Sequence, residues 1–448
     1  MYLNDWSEER LCASDAVIVS GSGDGELLCS ACARISTRNG SALEILQKST
    51  ESSNNTALVS KVLASGHKSL IEHFVFNIAF NNVSVLAEQF IIEFRLASYT
   101  VQSRRYVDFR GAGYHVPSGL SEPLRDGFVK CMDAQFAAYE QIVELGVPKE
   151  DARFVLPYCF KSNFFCTVNA RELMHMICSM LYGRGSGYPE LSALGESLKS
   201  QFDSFFPGAL ESERPRYSAS HALGSTSGDF EAPSRAELQV ELLHTPSNSG
   251  SVLREAMDFV RTASIDELVE DSRPRELELL HYCFKISDLS LAAITHLARH
   301  RIQTLLVPEI SSALARAQHI LPATVAENSK ALAIYNSAFE RASAAARNLF
   351  ASGMPTWCAP YFALAGHTLD VVCDMNAREL LHFLSLRCCN RAQWEIRDAA
   401  ISLLKVLRGS YPELFAHFGP SCYLSGSCPE GRMTCGKISE VKAFFDAL

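Results

Sequence analysis

The chain has 448 residues, of which 47% are hydrophobic and 20% are charged, and its formal net charge is −9 at pH 7. This composition is typical of a soluble globular protein, and the length is enough for two domains that each bury a core. The acidic balance argues against non-specific nucleic-acid binding, which requires a basic surface. No apolar stretch approaches the roughly 18 to 20 residues of a membrane-spanning helix, and the first residues lack the features of a signal peptide.

A motif of seven residues occurs twice along the chain. Residues 169–175 read NARELMH, and residues 376–382, which begin 207 positions later, read NARELLH. Upstream, residues 95–98 (RLAS) fall opposite residues 301–304 (RIQT) at nearly the same offset, 206. Two landmarks at nearly one offset indicate a duplicated domain.

The organisation along the chain follows from this repeat. We predict a first copy over residues 1–207, a polar linker without apolar periodicity over 208–235, a second copy over 236–418 and a cysteine-containing tail over 419–448. In each copy a short alternating strand precedes an apolar helix, and the NARE motif opens a further helix. The sequence therefore predicts an α+β protein that is rich in helix.

The cysteines bear on the compartment and on metal binding. There are fifteen, an odd number, and many lie in apolar helical surroundings where a reduced thiol behaves as a small hydrophobe, so we expect a cytoplasmic, reducing location. In the tail, Cys422, Cys428 and Cys435 could ligate zinc with a fourth group supplied from elsewhere. The paired spacing of zinc knuckles is absent, and we predict no metal site.

The segment 299–301 (Arg-His-Arg) ends an apolar helical run in the second copy. Its cations would be satisfied by a phosphate or pyrophosphate, since guanidinium groups bind phosphate oxygens bidentately. The alternative is a solvated basic end of a helix. In the first copy the same positions, 93–95, read Glu-Phe-Arg.

The first copy instead keeps the residues that follow. Residues 98–106 (SYTVQSRRY) combine hydroxyls, two arginines and aromatics, which suits a nucleotide phosphate and a stacked base, whereas residues 305–310 of the second copy (LLVPEI) are apolar and then acidic. Arg153 of the first copy aligns with Pro360, and Arg387 of the second copy faces Met180. The losses alternate between the copies, which favours sites that draw residues from both.

These residues resemble the flavin-dependent thymidylate synthases, whose signature is Arg-His-Arg, seven residues and then Ser. Residues 299–301 of the second copy match the Arg-His-Arg part of this signature. Ser103 of the first copy matches its final Ser. Residues 66–73 (GHKSLIEH), 102–106 (QSRRY) and 391–397 (RAQWEIR) look like further family segments. The resemblance covers nearly the whole chain as two tandem domains.

The resemblance implies an α+β fold with an antiparallel sheet and long helices in each copy. The family assembles as a homotetramer, so the tandem chain is expected to form a pseudo-dimer and two chains a homodimer that mimics the tetramer. It also implies FAD as cofactor and the reductive methylation of dUMP to dTMP, with methylenetetrahydrofolate and NADPH as co-substrates. No nucleic acid and no membrane are expected as partners.

Site residues are carried over position by position from the family's motifs. Arg387 matches the arginine that polarises the uracil ring. The matches to substrate-binding positions are Gln102, Ser103, Arg105, Arg153 and Arg299. The matches to flavin-contacting positions are His67, Ser69, Arg299, His300, Arg301, Asn376, Arg378 and His382.

Two departures from the family pattern keep alternatives open. Val101 stands where the family usually has an acidic or amide side chain that contacts both ligands, and Thr100 replaces an Asn or similar polar residue. One alternative is a C5-modifying enzyme that acts on another uridine nucleotide. The other is a paralogue that binds a nucleotide or flavin without catalysis, or that only scaffolds a partner.

Overall fold

The computed structural model describes residues 13–211, 213–217 and 230–448. The described residues fall into two compact units. The first unit comprises those within Met1–Lys149, Val155–Asp229 and Ile334–Ala363, and the second those within Glu150–Phe154, Phe230–Ala333 and Leu364–Leu448.

The first copy of the repeat contains four strands and eight α-helices among its described residues. The strands are β1 (Asp15–Gly21), β2 (Val75–Ser84), β3 (Ala97–Val101) and β4 (Lys161–Asn169). The helices are α1 (Gly25–Ile35), α2 (Ala42–Thr50), α3 (Asn55–Ala64), α4 (Val85–Ile92), α5 (Glu122–Glu144), α6 (Lys149–Ala152), α7 (Ala170–Leu181) and α8 (Pro189–Phe202). Short 3₁₀ helices occupy Lys68–His73 and Arg153–Val155, and a third, Arg214–Arg216, lies in the predicted linker.

The second copy and the tail continue with related elements. Strand β5 (Ser234–Arg235) lies at the end of the predicted linker. The strands that follow are β6 (Gln239–His244), β7 (His281–Ser290), β8 (Gln303–Leu306), β9 (Gln318–His319) and β10 (Thr368–Asn376). The helices are α9 (Ser249–Val260), α10 (Ile265–Glu270), α11 (Leu291–Leu297), α12 (Ile310–Arg316), α13 (Ala323–Ala326), α14 (Ser329–Ala351), α15 (Ala359–Phe362), α16 (Ala377–Arg387), α17 (Trp394–Ser410), α18 (Pro412–Phe415), α19 (Ser421–Ser425) and α20 (Ile438–Asp446). The 3₁₀ helices are Arg275–Leu279, Thr356–Cys358 and Gly431–Met433.

Each unit is built on a four-stranded antiparallel sheet with the same topology. The strand order is β1-β2-β4-β3 in the first unit and β6-β7-β10-β8 in the second. Both sheets bury one face, as the alternation of buried Phe76, Ile78 and Phe80 along β2 and the matching alternation along β7 show. The predicted tandem α+β fold is therefore confirmed.

Each unit also includes a segment that belongs, in sequence, to the other copy. In the first unit, Phe362 packs edge-to-face on Phe128 with ring centroids 5.3 Å apart, and the hydroxyl of Tyr361 donates to Glu190 over 2.9 Å. In the second unit, Trp394 Nε1 donates to Asp151 over 2.8 Å and its ring stacks on Phe154. The predicted limits 1–207 and 236–418 stay predictions about the sequence repeat. The compact units have other limits, because residues 150–154 of the first copy pack in the second unit and residues 334–363 of the second copy pack in the first.

In both units a buried carboxylate accepts hydrogen bonds from the serine that joins a strand to the following helix. Glu190 accepts hydrogen bonds from Ser84 N (2.7 Å) and Ser84 Oγ (2.6 Å), and Glu395 accepts the same pair from Ser290 N (2.7 Å) and Oγ (2.5 Å). Each serine also caps the helix that follows, α4 or α11. Burial raises the pKa of Glu395 to about 7. Removing either carboxylate would leave buried donors unpaired, at a cost of about 1–3 kcal/mol for each group.

The predicted linker lies partly outside the described residues, which omit 212 and 218–229. The described part is attached to the first unit: Glu213 forms an ion pair with the buried Lys68, and Tyr217 packs on His175 with ring centroids 5.7 Å apart. Burial is the main cause that lowers the pKa of Lys68. No helix in the described part of the chain is long and apolar enough to cross a membrane.

The tail packs within the second unit. Helix α20 packs on α19, and Ser421 Oγ donates to Ser385 O of α16 over 3.2 Å. Burial raises the pKa of Cys422, and the neighbouring Cys389, Cys428 and Cys435 raise it further. Within residues 13–211, 213–217 and 230–448, no three histidine, cysteine or acidic side chains are arranged to hold a metal ion.

Candidate active site

The repeated NARE motif begins a helix in both copies for a local reason. Asn376 is the N-cap of α16, and its side-chain oxygen accepts from Glu379 N over 2.9 Å; Asn169 caps α7 through Glu172 N in the same way. An asparagine cap contributes about 1 kcal/mol of helix stability. The oxygen of Asn376 thus has a structural role, and its predicted contact with a flavin stays a prediction.

The arginine of the motif forms the same ion pair in both units. Arg378 pairs with Glu278 in the 3₁₀ helix Arg275–Leu279, and Arg171 pairs with Glu72 in Lys68–His73. Both pairs are partly exposed, so each contributes only about 0–1 kcal/mol to stability. The side chain of Arg378 also lines a cavity, which distinguishes it from a purely structural residue.

The histidine of the Arg-His-Arg segment lies at the centre of a buried polar cluster in the second unit. His300 is 4% exposed, and its Nδ1 lies 2.9 Å from Oε1 of Glu379, which is 7% exposed. Arg387 Nε donates to His300 Nε2 over 3.1 Å, and its Nη2 donates to the carbonyl of His296 over 3.2 Å. Burial is the main cause that lowers the pKa of His300, against the opposing effect of Glu379.

The remaining predicted residues of this segment surround the buried cluster. Arg299 and Arg301 are exposed on either side of His300 in the chain, and the exposed His382 lies with its ring centroid 5.7 Å from that of His300. The structure therefore brings together His300, His382 and Arg387, and their roles stay predictions. Glu379 was missed by the sequence analysis, because its identity with Glu172 in the first copy suggested only a motif residue.

A cavity of about 460 Å³ opens beside this cluster within the second unit. Its volume lies in the range of small-molecule sites, about 300–1,000 Å³. It is lined by residues of α16, of the segment before β7 and of the tail: Val269, Asp271, Ser272, Pro274, Arg378, Leu381, His382, Ser385, Ser421, Leu424, Ser425 and Pro429. Two predicted flavin positions, Arg378 and His382, are among them.

The predicted nucleotide loop lies in the first unit, directly after β3. Gln102 is paired with Asn163, whose Nδ2 donates to Gln102 Oε1 over 3.4 Å, and Ser103 Oγ accepts from Arg105 N over 3.3 Å. The guanidinium of Arg105 lies 5.5 Å from the ring centre of Tyr106. The loop thus presents a hydroxyl and a half-buried cation close together.

The neighbouring arginine has a different role. Arg104 is buried and pairs with Glu88, which also accepts from Ser162. A buried arginine of this kind is needed to neutralise the buried carboxylate. Arg104 is therefore a structural residue, while Arg105 stays the predicted phosphate ligand.

Arg153 is a first-copy residue that belongs to the second unit. It is 2% exposed, and its Nε donates to Glu150 O over 3.0 Å. Its charge counteracts the effect of burial on the pKa of Glu395, which is the second residue of α17. Arg153 and Arg387 are thus parts of one compact unit, although they come from different copies.

His67 and Ser69, two predicted flavin positions, lie in the first unit instead. Both are exposed and flank Lys68, at the start of the 3₁₀ helix that holds the partner of Arg171. In the sequence of the second copy their places are taken by Arg273 and Arg275. The structure does not gather all predicted flavin positions into a single unit.

Protein side chains fill the part of the first unit that corresponds to the His300 cluster. Phe94, at the position of His300, packs edge-to-face on His175 with ring centroids 5.2 Å apart, and the hydroxyl of Tyr217 contacts the same histidine. Glu93, at the position of Arg299, forms an ion pair with Arg184. These contacts replace the cationic segment of the second copy.

The profile of the family described as thymidylate synthase complementing protein matches residues 17–208 and again residues 231–413. The chain belongs to this family. The two matches confirm the predicted tandem duplication.

Curated relatives of the chain carry the name flavin-dependent thymidylate synthase. The protein of Geobacter sulfurreducens is 37% identical over 187 residues, which cover 41% of this chain and 80% of the relative. That of Nitratidesulfovibrio vulgaris is 33% identical over 201 residues (42% and 80%), and that of Clostridium tetani is 28% identical over 222 residues (46% and 89%). The prediction of an enzyme of the flavin-dependent thymidylate synthase family is thereby confirmed.

Proposed function

We propose that the chain is an FAD-dependent thymidylate synthase that converts dUMP to dTMP with methylenetetrahydrofolate and NADPH. Its sites would draw residues from both copies, and the working assembly would be a cytoplasmic homodimer of tandem chains. The observation that carries the proposal is the His300–Arg387 pair, held in the second unit beside a cavity and replaced by Phe94 and Met180 in the first copy.

The cationic side chains of the cavity and of the Arg-His-Arg segment fit an anionic dinucleotide cofactor, although Asp271 also lines the cavity. Arg378 and His382 line it, and the exposed Arg299 and Arg301 flank the buried His300. Guanidinium groups bind phosphate oxygens, and the partly exposed ion pair of Arg378 can rearrange at little cost. These residues, with Asn376, would hold FAD, which supplies hydride-transfer chemistry when bound.

The substrate would be oriented by its phosphate and activated through its ring. Ser103, Gln102 and Arg105 offer a hydroxyl, an amide and a cation for the phosphate, with Arg153 and Arg299 as further cations. Arg387 would contact the uracil ring, where a positive charge favours the electron-rich, ionised form. Its bonds to His300 and to the carbonyl of His296 fix the plane of the guanidinium before substrate binds.

The number of FAD molecules bound per chain tests this proposal. We expect one FAD per chain after saturation, measured by absorbance of the purified protein, because only the second copy keeps the Arg-His-Arg segment. Addition of dUMP, methylenetetrahydrofolate and NADPH should then yield dTMP. Two FAD per chain would show that the first copy keeps a working site, and none would favour a scaffold. Bound FAD without turnover of dUMP would favour a non-catalytic paralogue or another uridine nucleotide.

The two arginines of the NARE motif provide a matched pair of variants. Arg378→Ala is expected to weaken FAD binding roughly tenfold or more, because a charge-assisted hydrogen bond contributes about 1.5–3 kcal/mol. Arg171→Ala removes the same ion pair from the first copy and is expected to leave the affinity within about twofold, since no Arg-His-Arg segment accompanies it. Fluorescence titration of FAD measures both. Equal losses in the two variants would contradict the assignment of Arg378.

A further inference from the structure

Three polar side chains of the second unit form a continuous row of hydrogen bonds. Glu379 Oε1 lies 2.9 Å from His300 Nδ1, and His300 Nε2 lies 3.1 Å from Arg387 Nε. The first two residues are almost fully buried, while Arg387, the last residue of α16, is half-buried. The row therefore runs from the interior towards the arginine proposed to contact the substrate.

The geometry fixes the positions of the protons along this row. A guanidinium can only donate hydrogen bonds, so Nε2 of His300 must accept from Arg387 and carries no proton. The proton of the neutral imidazole is then on Nδ1, where it is donated to Glu379. Protonation of Nε2 would place two donors against each other and break the bond to Arg387. Burial, which lowers the pKa of His300, favours the neutral form that this arrangement needs.

We propose that Glu379 is a positioning residue for Arg387 and acts through His300. Its carboxylate selects one tautomer and one ring orientation of the imidazole, and the acceptor at Nε2 then holds the guanidinium in the orientation required for the uracil ring. A hydrogen-bond partner behind an imidazole commonly sets its tautomer in this way. The inference rests on the proposed function only in taking Arg387 as the residue that contacts the substrate.

The first copy contains the same acid without the rest of the row. Glu172 occupies the position of Glu379 and likewise donates its backbone N–H to the capping asparagine. Phe94 and Met180 stand where the second copy has His300 and Arg387. The hydrogen bond from the backbone of this glutamate to the capping asparagine is thus shared by both copies. The proposed positioning of an arginine through a histidine is confined to Glu379.

The test compares Glu379→Gln with Glu172→Gln in the full chain. Glutamine keeps the shape but removes the charge, so we expect kcat for dTMP formation to fall roughly tenfold or more with a smaller change in KM for dUMP. Glu172→Gln should stay within about twofold of the wild type. An unchanged kcat in Glu379→Gln, or an equal loss in both variants, would overturn the proposal.

A second measurement does not depend on activity or on the folding of a variant. Neutron crystallography of the wild-type chain should show hydrogen on Nδ1 of His300 and none on Nε2. Hydrogen on Nε2 would refute the positioning role even in an active enzyme. If the wild type makes no dTMP, the proposed function fails, and the location of this hydrogen still decides whether Glu379 positions Arg387.

Discussion

Replacing Arg387 by alanine is expected to lower the rate of dTMP formation at least about a hundredfold while the chain stays folded. The proposed reaction needs a positive charge beside the uracil ring, and removal of one preorganised donor from an active site typically costs about 10²–10³ in kcat. Arg387 is half-buried and ends helix α16, so its truncation does not open the apolar core. Product formation under saturating substrates measures the rate, and a thermal melt confirms the fold.

Arg184 provides the matched control for this variant. It follows α7 much as Arg387 ends α16, is 43% exposed in its side chain, and contacts Glu93 and the ring of Phe90. Arg184→Ala removes an arginine from the corresponding region of the first copy, and we expect turnover within about twofold of the wild type. Wild-type turnover in Arg387→Ala would refute the catalytic assignment. Similar losses in both variants would indicate a structural effect.

The fold could be predicted because its determinants are local and repeated. One-sided burial of a sheet imposes a period of two on strands such as β2 and β7, and the asparagine that ends β4 or β10 also caps the next helix. Because the motif recurs 207 positions later, these patterns could be observed in both copies. The exchanged segments could not be foreseen, because the apolar faces of Phe154 and Phe362 are compatible with burial in either unit.

The site was only partly predictable, because the roles of its residues depend on contacts with residues that are distant in the sequence. Adjacent arginines 104 and 105 look equivalent in the sequence, and only the distant Glu88 makes Arg104 a buried structural residue. Likewise, His300 and Glu379 are 79 positions apart in the sequence, so no spacing rule connects them. Motif comparison located the cationic segment. The hydrogen bonds that orient it depend on tertiary packing.

Chains that carry Arg153→Met and chains that carry Arg387→Ala are expected not to complement each other within one dimer. Arg153 and Arg387 belong to one compact unit of a single chain, although they derive from different copies. If both act in the same site of that chain, a hybrid dimer contains one defect in every working site. We therefore expect its turnover to stay close to that of the two single variants, measured on hybrids purified through two different affinity tags.

The opposite arrangement gives a clearly different result. If each site took Arg153 from one chain and Arg387 from the other, the hybrid would contain one intact site and one doubly defective site, and about half of the wild-type turnover would return. Methionine keeps most of the volume of the buried Arg153, which limits the loss of packing. A hybrid of wild-type and Arg387→Ala chains provides the reference, since it should retain about half of the wild-type turnover under either arrangement. Recovery in the test hybrid would therefore show that the copies cooperate between chains and not within one.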